Sequence, residues 1–301
     1  MKPVSFFAAP QMQAVIWMFF CCFCLTMIAA LGRFAAHAGM HPAQTVFLRL
    51  LFALLLILPF AFRARLTFGK TQQLKTHMLR SAVGICAMWL WFISISLVPI
   101  TDQTALSFLA PIFTTLGAMF FLQEIVRIRR WLAIIIGLFG AVVIVRPGFA
   151  ELSGGHLSAV GSAMMMGMSM LLIKYLTAKD SPLMIVFYSH VFMTVLAFVP
   201  AMLVWSHFPP ELYLYLTGFA PFAFFGHFAL AKAYSLADAS FIAALDYARL
   251  PFAALIGWLM FAEFSDIWTW IGASIIFASA FYIVRREMQL ARSRGADAPE
   301  K

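Results

Sequence analysis

The sequence ARLPFAALIGWLMFAE at residues 248–263 has a counterpart in LAPIFTTLGAMFFLQE at residues 109–124. Each stretch has a proline near its start, a glycine in its middle and a glutamate at its end, within a mostly apolar run. Matched residues are offset by 140 at Pro111 and Pro251, and by 139 at Glu124 and Glu263. The match predicts that the chain contains one structural unit twice.

The correspondence continues on both sides of these stretches. Matched pairs include Trp131 with Trp270, Ile128 with Ile267, Pro42 with Pro182 and Phe47 with Phe187. We therefore expect a first repeat at residues 1–150 and a second at residues 151–287. The remaining residues 288–301 are polar and charged, a composition typical of a disordered cytoplasmic tail.

The composition indicates a membrane protein that crosses the bilayer many times. Of the 301 residues, 63% are hydrophobic and only 11% are charged, which leaves too little polar surface to cover a water-soluble globule. The formal net charge of +9 lies in short loops between apolar segments and not on a soluble basic face. Nucleic acid is therefore not an expected partner.

Apolar segments long enough to cross a bilayer can be counted directly, because a span needs about 20 residues. Turn and charge signals between the segments set their limits. We expect ten spans, near residues 12–31, 42–62, 77–97, 101–122, 131–146, 156–174, 182–204, 212–231, 239–262 and 267–284.

The distribution of Lys and Arg orients these spans. With the N-terminus inside, the cytoplasmic segments, including the one that ends at Arg80, hold 17 of the 21 basic residues. Arg33 and Arg146 fall outside, while Arg49 and Arg249 lie within spans. This asymmetry predicts that both termini are cytoplasmic. The first apolar segment lacks a small-residue cleavage site, so we expect a span there and not a signal peptide.

An odd number of spans per repeat has a functional consequence. A second copy of a five-span unit enters the bilayer from the opposite side, so the two repeats are expected to be inverted. Inverted repeats provide two related conformations, each open to one side of the membrane, with the substrate site near the midplane. The sequence thus predicts an all-helical transporter that works by alternating access.

The two proline- and glutamate-containing stretches, the Trp that opens the next span and the small-residue-rich fifth span resemble the EamA-type members of the drug/metabolite transporter superfamily. Arg49, in TVFLRLLFALLL, is similar to an Arg that this family often has in its second span. The resemblance implies a multi-pass protein of the bacterial inner membrane. It also implies the export of surplus metabolites, and it does not specify the substrate.

Asp246 and Arg249 are the first candidates for a substrate site. A charge at the bilayer centre costs about 2.5 to 3.5 kcal/mol on insertion scales, so such residues are functional candidates by default. Arg249 lies about 15 Å from the cytoplasmic start of its helix, at midplane depth. The two charges either neutralise each other within one helix, or face a cavity where Arg249 binds a carboxylate or phosphate. Their first-half counterparts, Ser107 and Ala110, are uncharged.

Other polar and aromatic residues within spans complete the candidate set. If several of them converge, the cavity is cationic and favours an anionic substrate or a zwitterion held by its carboxylate. Of the two nearby tryptophans, at most one is expected to line the lumen, since positions two apart point in nearly opposite directions on a helix. The other candidates are Arg49, His190, His227, Trp89, Trp91, Tyr188 and Tyr247, with Pro111 and Pro251 as helix kinks and candidate gates.

Several classes of protein are excluded by missing motifs. The chain has no HExxH zinc site, GxSxG nucleophile or GxxxxGK[ST] phosphate loop, so we expect neither an enzyme nor an ATPase. No metal or cofactor is predicted. The four cysteines are predicted to be free, buried thiols.

The residues favour a secondary transporter of a small carboxylate-bearing metabolite such as an amino acid, energised by protons or a counter-substrate. The alternative is a multidrug exporter in which Asp246 alternates between a proton and a lipophilic cation. The expected partners are the substrate and the lipid bilayer. The small residues Ala133, Gly137 and Ala141 favour helix contact inside a monomer, with a weak homodimer as the other possibility.

Overall fold

The computed structural model describes residues 10–65, 71–97, 106–145 and 154–261, and further residues between 267 and 285. Within these ranges every regular element is a helix. The expected tail at 288–301, the start of the expected fourth span at 101–105, Glu263 and the Ala141 side chain lie outside the described residues.

Eleven α-helices are named here from the continuous ranges. They are α1 (Pro10–His37), α2 (Pro42–Arg63), α3 (Leu74–Leu97), α4 (Ala110–Phe121), α5 (Ile128–Val145), α6 (Gly154–Leu176), α7 (Pro182–Leu203), α8 (Pro210–Thr217), α9 (Phe219–Leu236), α10 (Ala239–Leu245) and α11 (Arg249–Phe261). By length and composition, six helical segments among the described residues suit a membrane span. An all-helical membrane protein is thereby confirmed, while the count of ten spans stays a prediction.

Two of the expected spans are interrupted and not continuous. The eighth consists of α8 and α9, which meet at Gly218, and the ninth consists of α10 and α11 joined by a short 3₁₀ turn, Asp246–Ala248. Pro251 explains the second interruption, because it has no N–H to donate to the Tyr247 carbonyl and its ring crowds that carbonyl. The equivalent Pro111 is the second residue of α4, directly after a turn at residues 108–109.

The main helix pairings come in matched sets. Helix α3 packs against α6, and α1 packs against α9; α4 packs against α6, and α11 packs against α1. Exchanging each helix for its counterpart in the other half converts the first member of each set into the second. Helices α2 and α7 are counterparts that pack against each other.

Glycines allow the closest of these contacts. A Cβ at Gly167 on α6 would lie 2.9 Å from the Cβ of Phe113 and 3.0 Å from the backbone nitrogen of Thr114. A Cβ at Gly226 on α9 would lie 2.9 Å from the Cβ of Cys24 on α1. Small residues thus let backbones approach where side-chain burial alone gives little driving force in lipid.

Glu124 caps a helix in the other half of the chain. Its carboxylate accepts hydrogen bonds from the backbone N–H groups of Ala239 (2.8 Å) and Ser240 (3.1 Å) at the start of α10. Arg130 binds Asp238 at the same place, with 2.8 Å between Nη2 and Oδ2. A negative group at a helix N-terminus satisfies donors that lack partners within the helix. The conspicuous glutamate of the first repeat therefore holds the ninth span.

The four cysteines are free thiols, as predicted. Three of them, Cys21, Cys22 and Cys24, are buried on α1. The prediction of burial is wrong for Cys86, which is exposed on α3. The positive-inside count also placed Arg80 in a cytoplasmic segment, whereas α3 begins at Leu74 and buries Arg80 to 6% exposure.

Candidate substrate site

Asp246 and Arg249 form an ion pair at the interruption between α10 and α11. The Nη2 of Arg249 lies 2.9 Å from the Oδ2 of Asp246, and Asp246 is only 2% exposed. The α-to-3₁₀ change keeps the two residues on one side, since positions three apart nearly eclipse in a 3₁₀ turn. The predicted pair is therefore present, and each charge answers the other.

The pair faces α1. Cys21 and Cys22 of that helix lie within electrostatic reach of both Asp246 and Arg249. The second carboxylate oxygen of Asp246, Oδ1, is buried and accepts no hydrogen bond within the part of the chain that the structure describes. One oxygen of this carboxylate is thus engaged by Arg249 and the other is open.

Tyr247 packs within the protein core. Its hydroxyl donates a hydrogen bond to the carbonyl oxygen of Phe108 at 2.9 Å, and the two rings are 5.9 Å apart. The Tyr247 ring also covers Gly137 of α5, where a Cβ would lie 2.7 Å from the ring. The residue therefore joins the interruption of the ninth span to the turn before Pro111.

A second group of predicted residues lies on α2, α3, α7 and α9. We call Arg49, Arg80, His190 and His227 the cationic cluster. The rings of His190 and His227 meet edge to face with centroids 5.2 Å apart. Both arginines lie within electrostatic reach of both histidines. Three of the four members were predicted from sequence, and Arg80 was not.

The cluster lies at mid-depth in the helix bundle. On α7, His190 separates buried residues of one apolar core (Ile185–Tyr188) from those of a second core that begins at Met193. On α9, His227 is the ninth of 18 residues, and the two cores meet beside it at Ala223 and Phe224. The cationic cluster is therefore a polar layer between two apolar cores.

Hydrogen-bond donors in this layer are left open. Arg80 donates to the weak acceptor Sδ of Met193 at 3.5 Å, and its Nε has no partner. The Nε of Arg49 and the Nε2 of His190 are also buried without a partner within the described residues. Each histidine places its Nδ1 near the carbonyl four residues earlier in its own helix, at 2.9 Å for His190 and 2.7 Å for His227.

The remaining aromatic candidates fall in different places. Trp89 is half-buried and lines a small apolar pocket between α2, α3 and α7, whereas Trp91 is 37% exposed. Tyr188 is fully buried toward the start of α7, where its ring contacts His77 at 4.8 Å. The predicted residues thus do not converge on one point: Asp246, Tyr247 and Arg249 form one group, the cationic cluster another, and Tyr188 lies apart.

A buried polar network near the starts of α3 and α7 was missed in the sequence. The Oδ2 of Asp180 lies 2.8 Å from the Nε2 of His77 and accepts a hydrogen bond from the hydroxyl of Thr71 at 2.8 Å. Gln44 makes a comparable contact elsewhere, exchanging two hydrogen bonds with the backbone of Ser206. Loop residues more than 100 positions apart give no local sequence signal for such contacts.

Metal binding finds no support among the described residues, where no group of three or more His, Cys, Asp or Glu side chains could hold an ion. The buried charge instead suits an organic substrate with complementary groups. A helical bundle with polar side chains held inside its membrane spans defines a class of protein, the polytopic membrane transporters.

The family is then specific. The sequence matches the EamA-like transporter family over residues 12–146 and again over residues 153–285. The chain therefore belongs to this family, which confirms the resemblance drawn from the repeated motifs. It is a membrane transporter and not an enzyme.

Curated relatives carry several substrate names. The riboflavin transporter of Vibrio cholerae is 31% identical over 287 residues, covering 93% of this chain and 96% of the relative. The S-adenosylmethionine uptake transporter of Rickettsia felis is 30% identical and covers 82% and 84%. The pseudopaline exporter of Pseudomonas aeruginosa is 29% identical and covers 83% and 88%. A solved crystal structure shares the fold, with a TM-score of 0.76 at 14% identity, covering 89% of this chain and 96% of its own.

Proposed function

We propose that this protein is a secondary active transporter of a small carboxylate-bearing metabolite, which binds to the cationic cluster. The observation that carries the proposal is the pair of guanidinium groups, Arg49 and Arg80, with open donors at mid-depth. Removing a guanidinium from water without an acceptor is costly, so these donors require a partner during the working cycle. A carboxylate fits a guanidinium with two parallel hydrogen bonds.

The proposed mechanism is alternating access between two inverted five-span repeats, residues 1–150 and 151–287, with both termini in the cytoplasm. Two successive family matches and the exchangeable helix pairings support this arrangement. The interruptions beside Pro111 and Pro251 supply places where the fourth and ninth spans can bend. Protons or a counter-substrate would energise the cycle, and the bacterial inner membrane is its proposed location.

The names of the relatives extend the range of candidate substrates. S-adenosylmethionine carries a carboxylate, whereas riboflavin offers ring carbonyl oxygens that a guanidinium can also bind. Both molecules join a nitrogen-containing aromatic ring system to a hydroxylated chain. Export is our prediction for direction, although the relatives include an uptake transporter as well as an exporter.

The experiment is a thermal-stability screen of the purified protein in detergent. The panel contains amino acids, di- and tricarboxylates, nucleotides, riboflavin, S-adenosylmethionine and lipophilic cations. A compound at 100 times its dissociation constant raises the free energy of unfolding by about 2.7 kcal/mol. Stabilisation by a carboxylate-bearing compound, lost in Arg49→Gln, supports the proposal. Equal stabilisation of the wild type and Arg49→Gln contradicts it.

A multidrug exporter of lipophilic cations is the second candidate, favoured by the open Oδ1 of Asp246. That oxygen can hold a proton or meet a cation when the helix interruption opens. The distinguishing result is stabilisation by lipophilic cations alone, with coupling abolished in Asp246→Asn and binding retained in Arg249→Ala. The first candidate requires no such response.

A further inference from the structure

The cationic cluster shares three helices with the small apolar pocket that contains Trp89. We call this the tryptophan pocket; its lining residues are Ala43, Val46, Ile85, Met88, Trp89 and Ala197. Helices α2, α3 and α7 each contribute to both features. The two features are therefore compared here by their positions along these helices.

The pocket lies to one side of the cluster on every shared helix. On α2, Val46 precedes Arg49 by three residues, which is about 4.5 Å along the helix axis. On α3, Ile85 follows Arg80 by five residues, or about 7.5 Å. On α7, Ala197 follows His190 by seven residues, or about 10 Å. Because all three offsets have the same sense in the bundle, the pocket and the cluster are consecutive levels of one inter-helical space.

The two levels differ in chemistry. The tryptophan pocket is apolar, and Trp89 and Met88 offer it an aromatic ring and a polarisable thioether. At the cluster, Arg80 has the sulfur of Met193 as its hydrogen-bond acceptor, so its guanidinium has no negative counter-charge within the described part of the chain. A molecule bound across both levels would place an apolar ring on one and an anionic group on the other.

We infer that the tryptophan pocket and the cationic cluster are the two ends of one substrate site, which takes a planar aromatic ring against Trp89 and a carboxylate against Arg80 and Arg49. This inference rests on the proposed function and narrows its substrate class to aromatic carboxylates. It also makes Arg80 a determinant of specificity. The Asp246–Arg249 pair then lies outside the site and maintains the interruption in the ninth span.

Two pairs of probes test the carboxylate end. Each pair differs by one carboxylate: L-tryptophan with tryptamine, and S-adenosylmethionine with its decarboxylated form. We expect at least one carboxylate-bearing member to raise the melting temperature of the wild type, with an affinity about tenfold or more above that of its partner. Arg80→Gln removes this preference, and Trp89→Ala weakens both members equally. Arg63→Gln, at the exposed end of α2, is the matched control and behaves as the wild type.

A measurement without any probe separates failure of the site from failure of the proposed function. Arg80→Met removes a buried guanidinium with open donors, so we expect the empty variant to melt at a higher temperature than the wild type. A lower melting temperature makes Arg80 structural and overturns the inference. The inference is also overturned if neither carboxylate probe stabilises the wild type, or if Arg80→Gln keeps the preference. Transport of a non-aromatic carboxylate with Arg80→Gln unimpaired would leave the proposed function standing without this site.

Discussion

Tyr247 donates a hydrogen bond from its hydroxyl to the carbonyl oxygen of Phe108 at 2.9 Å, across 139 positions in the chain. That separation equals the offset at which Glu124 matches Glu263, so the bond joins corresponding positions of the two halves. Both positions lie at a helix interruption beside a proline. The fourth and ninth spans are thus tied together where each can bend.

The first prediction concerns this bond. Tyr247→Phe removes a buried hydrogen bond and keeps the ring, so we expect the free energy of unfolding to fall by about 1 kcal/mol. Melting in detergent measures the change. The control is Tyr175→Phe, since Tyr175 is 51% exposed. Identical melting of the two variants would show that the Tyr247 hydroxyl does not tie the halves together.

The Asp246–Arg249 pair is predicted to be energetically coupled. Arg249→Gln leaves the buried carboxylate of Asp246 without its counter-charge, at a cost of about 3 kcal/mol in the free energy of unfolding. The double variant Asp246→Asn, Arg249→Gln is expected to recover most of that loss, because no uncompensated charge remains. A double-mutant cycle gives the coupling directly. Additive losses in the double variant would mean that the pair contributes no mutual stabilisation.

Close packing of α6 on α4 gives a third prediction. Gly167→Ala places a methyl group against Phe113 and the α4 backbone, so overpacking is expected to cost about 1 to 3 kcal/mol of stability. Gly154→Ala is the matched control, because a Cβ there meets no atom within 4 Å. Thermal melting compares the two. If Gly167→Ala melts at or above the control, the two helices are less tightly packed than the structure indicates.

The network around Asp180 gives a fourth prediction. Asp180→Ala removes the acceptor for Thr71 and the partner of His77, and we expect stability to fall by about 2 kcal/mol. Lys179→Ala changes the exposed neighbouring residue and should have little effect. Melting of both variants under identical conditions is the measurement. Equal melting temperatures would indicate that the network adds nothing to the contact between α3 and the loop before α7.

Much of the fold followed from the sequence, because its main signals are local and repeated. Apolar runs predicted the helices, and the two proline stretches predicted the family. The i, i+3 spacing of Asp246 and Arg249 anticipated their ion pair. The residues that the sequence did not reveal as a site depend on packing between distant helices.

Arg80 illustrates the difference. Counted with Lys75 by the positive-inside rule, it was read as a loop charge, although it lies seven residues into α3 and is buried. A signal was present: His77, Ser81 and Gly84 recur with Arg80 at spacings of three or four, which marks a polar face on a helix. The partners of that face, Met193 and Asp180, lie more than 100 residues away. Local patterns therefore could not identify them.

The central claim is that this chain transports a small metabolite whose acceptor oxygens bind the arginines of the cationic cluster. Counterflow in proteoliposomes tests it most directly, with each panel compound loaded inside and its radiolabelled form added outside. We predict that the wild type accumulates a carboxylate-bearing compound, and that Arg49→Gln and Arg80→Gln do so at least about tenfold more slowly while Arg63→Gln matches the wild type. Accumulation at the wild-type rate by both cluster variants would contradict the account.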